Sequence, residues 1–174
     1  MFLMFNIVLT PHDKIATIAA DFASAHFGDN HMDYCLGVDG HLPHISIARL
    51  PEVTDRQLTA LFSELSNMHW PQGVSLEFGE TYHIPKGYYG LKIVPLDQLQ
   101  KMHEDVYAVA KKIGVEVDGA CLDDYFPHFT FSKTHKNTAD ILIPSDLRGR
   151  AAGWSLELGR MGAHGVYLGR YSPV

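Results

Sequence analysis

Apolar residues recur along the chain in two rhythms. Residues 2–9 (FLMFNIVL) form a nearly continuous apolar run, which predicts a buried strand. In 12–26, Ile15, Ile18, Ala19, Phe22 and Ala23 recur at helical spacing, and Thr10 and Pro11 suit a helix start. A turn-rich loop with Gly28, Gly37 and Gly40 follows, then a strand over 44–50. Thr54 opens a second helix to about Met68, with Leu58, Leu61, Phe62 and Leu65 inward. Residues 74–84 and 88–94 read as strands around a turn at Pro85–Gly87. A third helix covers 96–113, with Leu99, Met102, Val106, Val109 and Ala110 inward, and a strand covers 128–133. Trp154 to Tyr171 reads as a hairpin turning near Gly162–Gly165. The first residues, MFLMFNIVLT, lack a basic stretch and a small-residue cleavage site, so they read as a strand and not as a signal peptide.

The element order repeats, and so do particular residues. Pro11 and Pro95, Asp13 and Asp97, Asp39 and Asp123, Pro43 and Pro127, His44 and His128, Ser46 and Thr130, and Arg49 and Lys133 all lie 84 positions apart. An ungapped offset through residues of uncommon type predicts an internal duplication. The expectation is one α+β, two-lobed domain over 1–174, with repeat halves of about 1–84 and 85–174.

Composition narrows the functional classes. A net charge of −6 argues against an extended nucleic-acid surface, because such binding rests on phosphate neutralisation. A small nucleotide or an RNA end in a local site is compatible with it. Two cysteines, Cys35 and Cys121, outside any CxxC pair, point to the cytoplasm and away from a structural zinc site. No apolar run is long enough to span a bilayer. A monomer is expected. The 11 histidines are the compositional oddity.

Two of those histidines share a pattern. The halves read PHISIAR at 43–49 and PHFTFSK at 127–133, and only His44 and His128 have Ser or Thr two residues later. On a strand, residues two apart share a face. His44 and Ser46 therefore project together, as do His128 and Thr130, while Ile45, Ile47, Phe129 and Phe131 enter the core. Two such strands across a cleft suit phosphodiester cleavage. One neutral histidine takes a proton from the attacking water, and the other, protonated, gives one to the leaving oxygen. Histidine suits both tasks because its ordinary pKa is about 6.5. The Ser46 and Thr130 hydroxyls donate to phosphate oxygens where charge builds. Four side chains sharing that load need no metal and no cofactor.

These motifs resemble those of the 2H phosphoesterase superfamily, the LigT-like or RNA 2′,5′-ligase-like proteins, whose mark is two His-x-Thr/Ser motifs flanked by apolar residues. HISI and HFTF both fit. The resemblance implies a bilobal fold with antiparallel sheets flanking a central cleft and helices outside. It implies hydrolysis of 2′,3′-cyclic phosphates, or of related 2′–5′ or cyclic phosphodiesters, on RNA ends or nucleotides. By position, His44 and His128 would be the catalytic pair and Ser46 and Thr130 the phosphate holders. The alternatives are ligation of RNA ends at the same site, a nucleotide-binding module without turnover, and a metallohydrolase.

Other residues carry weaker signals. Arg49 and Lys133, five after their histidines, fall by alternation on the opposite strand face or past the strand end, from where they can attract phosphate at the rim. Tyr82, Tyr88 and Tyr89 around the Ile84–Gly87 turn, and Tyr125 and Phe126 before the second motif, are aromatic candidates for stacking on a base. Phe5 reads as core. His41 and His44, with Cys35 nearby, have loose metal-ligand spacing, and at 119–125 the second half offers only Cys121 and acidic residues in return, so no metal is expected. The remaining histidines, His103 among them, read as surface or helix-cap residues.

Overall fold

The computed structural model describes residues 3–68, 74–84, 86–94, 96–118, 122–162 and 166–171. Pro85, Pro95, Cys121, His69, His164 and the 163–165 tip of the C-terminal hairpin lie outside those residues. In chain order the elements are β1 (Leu3–Thr10), α1 (Asp13–Phe27), β2 (His31–Cys35), β3 (Ile45–Val53), α2 (Asp55–Asn67), β4 (Val74–His83), β5 (Tyr88–Val94), α3 (Leu96–Lys112), β6 (His128–Thr134), β7 (Gly149–Met161) and β8 (Tyr167–Arg170). The fold is α+β, and the strand pairs described are all antiparallel.

The strand order is β2-β6-β5-β4-β7-β1-β3, with β8 on β7. Long β7 belongs to both sheets. Gly149 to Trp154 face β4, and Ser155 to Arg160 face β1. Gly153 sits just before that changeover at φ 85°, a left-handed conformation that a side chain would strain. The spatial sheets thus draw on both sequence halves. β2, from the first half, pairs with β6, and the end of β7 joins β1.

Local chemistry explains the elements that periodicity predicts. Thr54 caps α2. Its hydroxyl accepts from the Gln57 amide at 3.3 Å, while the Gln57 side chain accepts from the Thr54 amide at 3.0 Å. α1 packs on β6 and α3 on β3, each covering the outer face of a motif strand. β2 is missed by the sequence pattern because it is a short edge strand whose burial does not alternate: His31 is half-buried, Met32 and Asp33 are exposed, and Tyr34 and Cys35 are buried. β7 begins five residues before the strand the pattern predicts.

The core behind the motifs is aromatic. Phe129 packs edge-on against Phe78 at 5.7 Å, Phe131 at 5.7 Å and Trp154 at 6.0 Å between ring centres. Phe131 continues the cluster to Phe22 on α1 at 4.9 Å. Trp154 is 2% exposed and its indole N–H donates to the Ala151 carbonyl at 3.2 Å. Trp154→Ala is expected to lower unfolding free energy by about 3–5 kcal/mol in denaturant titration, through the cavity it leaves. A loss below about 1 kcal/mol would mean the cluster is not the core of this sheet.

Candidate active site

The two motif strands are built alike. From His44 to Leu50 burial runs half-buried, buried, half-buried, buried, buried, half-buried, buried, and from His128 to Thr134 it repeats the same order. The doubled buried positions mark β-bulges. One step from Ile7 to Val8 on β1 spans Ala48 to Ser46 on β3, so Ile47 is extra. One step from Tyr89 to Gly90 on β5 spans Ser132 to Thr130 on β6, so Phe131 is extra. Ile47 and Phe131 are themselves 84 positions apart.

The bulges correct one expectation. Simple alternation sends Arg49 and Lys133 to the face opposite the motifs. An inserted residue reverses the phase, so Arg49 comes to line the same cleft as His44 and Ser46. Lys133 sits opposite Tyr88, another cleft residue, with its ammonium 5.4 Å from that ring centre. Each cation has a carboxylate. Arg49 lies 3.7 Å from Asp118, and Lys133 lies 2.7 Å from Asp33, which holds the Lys133 pKa above its ordinary value.

The histidine rings are held the same way. His44 Nδ1 bonds the Leu42 carbonyl at 2.9 Å, and His128 Nδ1 bonds the Phe126 carbonyl at 2.7 Å. A carbonyl only accepts, so Nδ1 carries the proton in each neutral ring, and Nε2 is the nitrogen that gains or loses one. Ring contacts fix the planes. His44 lies 5.6 Å from Tyr167, and His128 sits between Tyr82 at 5.3 Å and Phe126 at 5.4 Å. Burial lowers the His128 pKa below 6.5. The Phe126 carbonyl bond opposes that shift, and the nearby Arg49 charge adds to it.

Both hydroxyls are engaged from behind. Asn6 Nδ2 donates to Ser46 Oγ at 2.8 Å, and the Tyr82 hydroxyl and Thr130 Oγ1 lie 2.7 Å apart. His44, Ser46, His128 and Thr130 all line one cleft of about 520 Å³. Paired imidazoles and hydroxyls in one cleft can move two protons and hold an anion between them.

Solved structures share this architecture. One, described as a phosphoesterase, covers 98% of this chain and 98% of its own at 16% identity, with a TM-score of 0.70. The structure of E. coli LigT complexed with ATP covers 100% of this chain and 96% of its own at 16% identity, with a TM-score of 0.69. This chain has the LigT-like fold. The structure of E. coli LigT complexed with 3′-AMP covers 93% of this chain and 90% of its own at 15% identity, with a TM-score of 0.70. Comparison with protein-family models and with curated proteins finds no match.

Within the cleft of this LigT-like fold, not every aromatic candidate is placed for a ligand. Tyr89 is 2% exposed and packs against Phe27 at 5.5 Å and Phe131 at 6.2 Å, on the core side of β5. Its neighbour Tyr88 lines the cleft instead. The half-buried Tyr125 lines the cleft but is tied into the scaffold. Its hydroxyl donates to the Ser46 carbonyl at 2.9 Å, and its ring stacks on His103 at 4.3 Å. Phe126 lines the cleft and stays 39% exposed.

His103 departs from the surface reading. It is 1% exposed, with Nδ1 on the Ile47 carbonyl at 2.6 Å and Nε2 accepting from the Leu122 amide at 2.9 Å. It therefore props the first bulge against the approach to the second motif. Nothing in its spacing announces that task, because both partners are distant in sequence. Phe5 lies in the core as expected. His41 stacks on Tyr34 at 4.9 Å, and burial pushes the Cys35 thiol up to about 11. Among the described residues, no group of three or more potential ligands is placed to hold a metal ion, and no helix is long and apolar enough to cross a membrane.

Proposed function

We propose that this LigT-like chain is a metal-independent phosphodiesterase of the 2H type. It hydrolyses 2′,3′-cyclic phosphates, or related 2′–5′ and cyclic phosphodiesters, on nucleotides or RNA ends. The observation that carries this reading is the convergence of two His-x-Ser/Thr motifs, held by matched Nδ1–carbonyl bonds, on one cleft. We also read residues 1–174 as one domain of two repeated halves, about 1–84 and 85–174, supported by the matching bulges and burial.

The lowered His128 pKa supports giving that ring the base role and leaving the acid role to His44. His128, with its lowered pKa, stays neutral at working pH and takes the proton from the attacking water. His44, protonated, gives a proton to the leaving ribose oxygen as the P–O bond breaks. Ser46 and Thr130 hold the non-bridging oxygens, and Arg49 supplies positive charge at the cleft wall. LigT binds ATP and 3′-AMP in the structures above, which supports a ligand of nucleotide size here. The net charge of −6 favours a small ligand over long nucleic acid.

The pH dependence follows from the sign of the His128 shift. The base must be unprotonated, so the acid limb of kcat/KM falls below the ordinary histidine value of 6.5. Arg49→Gln removes a charge that disfavours imidazolium, so that limb moves up in pH. Rate measurements with 2′,3′-cyclic AMP across about pH 4 to 9 check both. An acid limb above 6.5 in the wild type would contradict the assignment of His128 as base.

A further inference from the structure

We propose that Asn6 and Tyr82 are positioning residues, which turn the hydroxyl hydrogens of Ser46 and Thr130 toward bound phosphate. The proposal builds on the phosphodiesterase reading above and goes beyond the two motifs.

Hydrogen-bond direction carries the argument. An amide nitrogen only donates, so the 2.8 Å bond from Asn6 Nδ2 makes Ser46 Oγ an acceptor. The Ser46 hydrogen is then not spent on Asn6 and can be given to a ligand. At the second motif the Tyr82 hydroxyl and Thr130 Oγ1 lie 2.7 Å apart; either oxygen can donate, and the phenol, more acidic than an aliphatic hydroxyl, is the better donor. With Tyr82 donating, the Thr130 hydrogen is likewise directed elsewhere.

The two halves reach this arrangement with different residues. Asn6 lies on β1, which pairs with motif strand β3, and its counterpart at the offset of 84 is Gly90 on β5. Gly90 has no side chain to do what Asn6 does. A Cβ there would lie 2.1 Å from the Phe129 carbonyl oxygen, so the position is closed to any other residue. Tyr82, Gly90 and Thr130 are successive cross-strand partners on β4, β5 and β6. The bare glycine lets the Tyr82 ring span from β4 to Thr130. Packing alone has no reason to put a polar partner behind both hydroxyls from unrelated positions.

Asn6 carries a second sign. It is 0% exposed, and its Oδ1 has no hydrogen-bond partner among the described residues. A buried, unsatisfied carbonyl oxygen disfavours folding, and leucine of similar shape would not incur that cost. Retaining the amide is explained by what its nitrogen does to Ser46.

The test is a pair of double-mutant cycles: Tyr82→Phe with Thr130→Val, and Asn6→Leu with Ser46→Ala. Each variant is titrated with inorganic phosphate, assayed with 2′,3′-cyclic AMP and melted. Tyr82→Phe and Asn6→Leu should each lower kcat about tenfold with little change in KM, and weaken phosphate binding. Neither should cost anything further once its hydroxyl partner is gone. Asn6→Leu should melt at or above the wild-type temperature despite its loss of rate. Additive losses, or an Asn6→Leu variant that melts lower and turns over normally, would overturn the proposal. The phosphate titration needs no turnover. A wild type that leaves cyclic AMP intact sinks the substrate reading, while the coupling in phosphate affinity still decides the positioning role.

Discussion

Replacing either His44 or His128 with alanine is expected to lower kcat/KM for a 2′,3′-cyclic nucleotide by about 10²–10⁴-fold. Each ring has one proton to move, and neither has a substitute in the cleft at the same place. The two losses should not add. Acid and base act as a unit, so the double variant should be little slower than the worse single one. The fold should survive, because both side chains are half-buried at the cleft while the core-facing Ile45, Ile47, Phe129 and Phe131 are untouched. Steady-state kinetics with circular dichroism on the same samples checks this. Near-wild-type turnover in either variant would remove that histidine from the chemistry.

The second large effect concerns the hydroxyls. Thr130→Val keeps the shape of the side chain and removes its only donor, and Ser46→Ala does the same on the other strand. Each should lower kcat by about 10²–10³-fold, as removal of one preorganised donor does elsewhere, with a smaller change in KM. Thr130→Ser and Ser46→Thr keep a hydroxyl at the same strand position, so both should retain most activity. If Thr130→Val raises KM and leaves kcat alone, the hydroxyl binds ground state and transition state equally, and the stabilising role fails.

The motif faces were legible because strand geometry has a period of two. His44 with Ser46, and His128 with Thr130, follow from spacing alone, and Ile45 and Phe129 go to the core as alternation requires. The three helices were legible because each carries an apolar stripe and α2 a capping box. What lay outside spacing depends on pairing. The bulges at Ile47 and Phe131 are events of register between strands, so the phase reversal that brings Arg49 to the cleft could not be read from one strand. Tyr88 and Tyr89 are adjacent aromatics, and only the sheet decides that Tyr88 lines the cleft and Tyr89 the core. Asn6, Tyr82 and His103 reach their partners across 40, 48 and 56 positions of chain. Polar residues that act through long-range contacts carry no local pattern.

The most direct measurement is hydrolysis of the four nucleoside 2′,3′-cyclic monophosphates with a strong chelator present. A two-histidine site predicts turnover that chelation leaves unchanged, a bell-shaped pH profile, and a single phosphomonoester regioisomer as product. Activity lost in chelator and restored by added metal would contradict it.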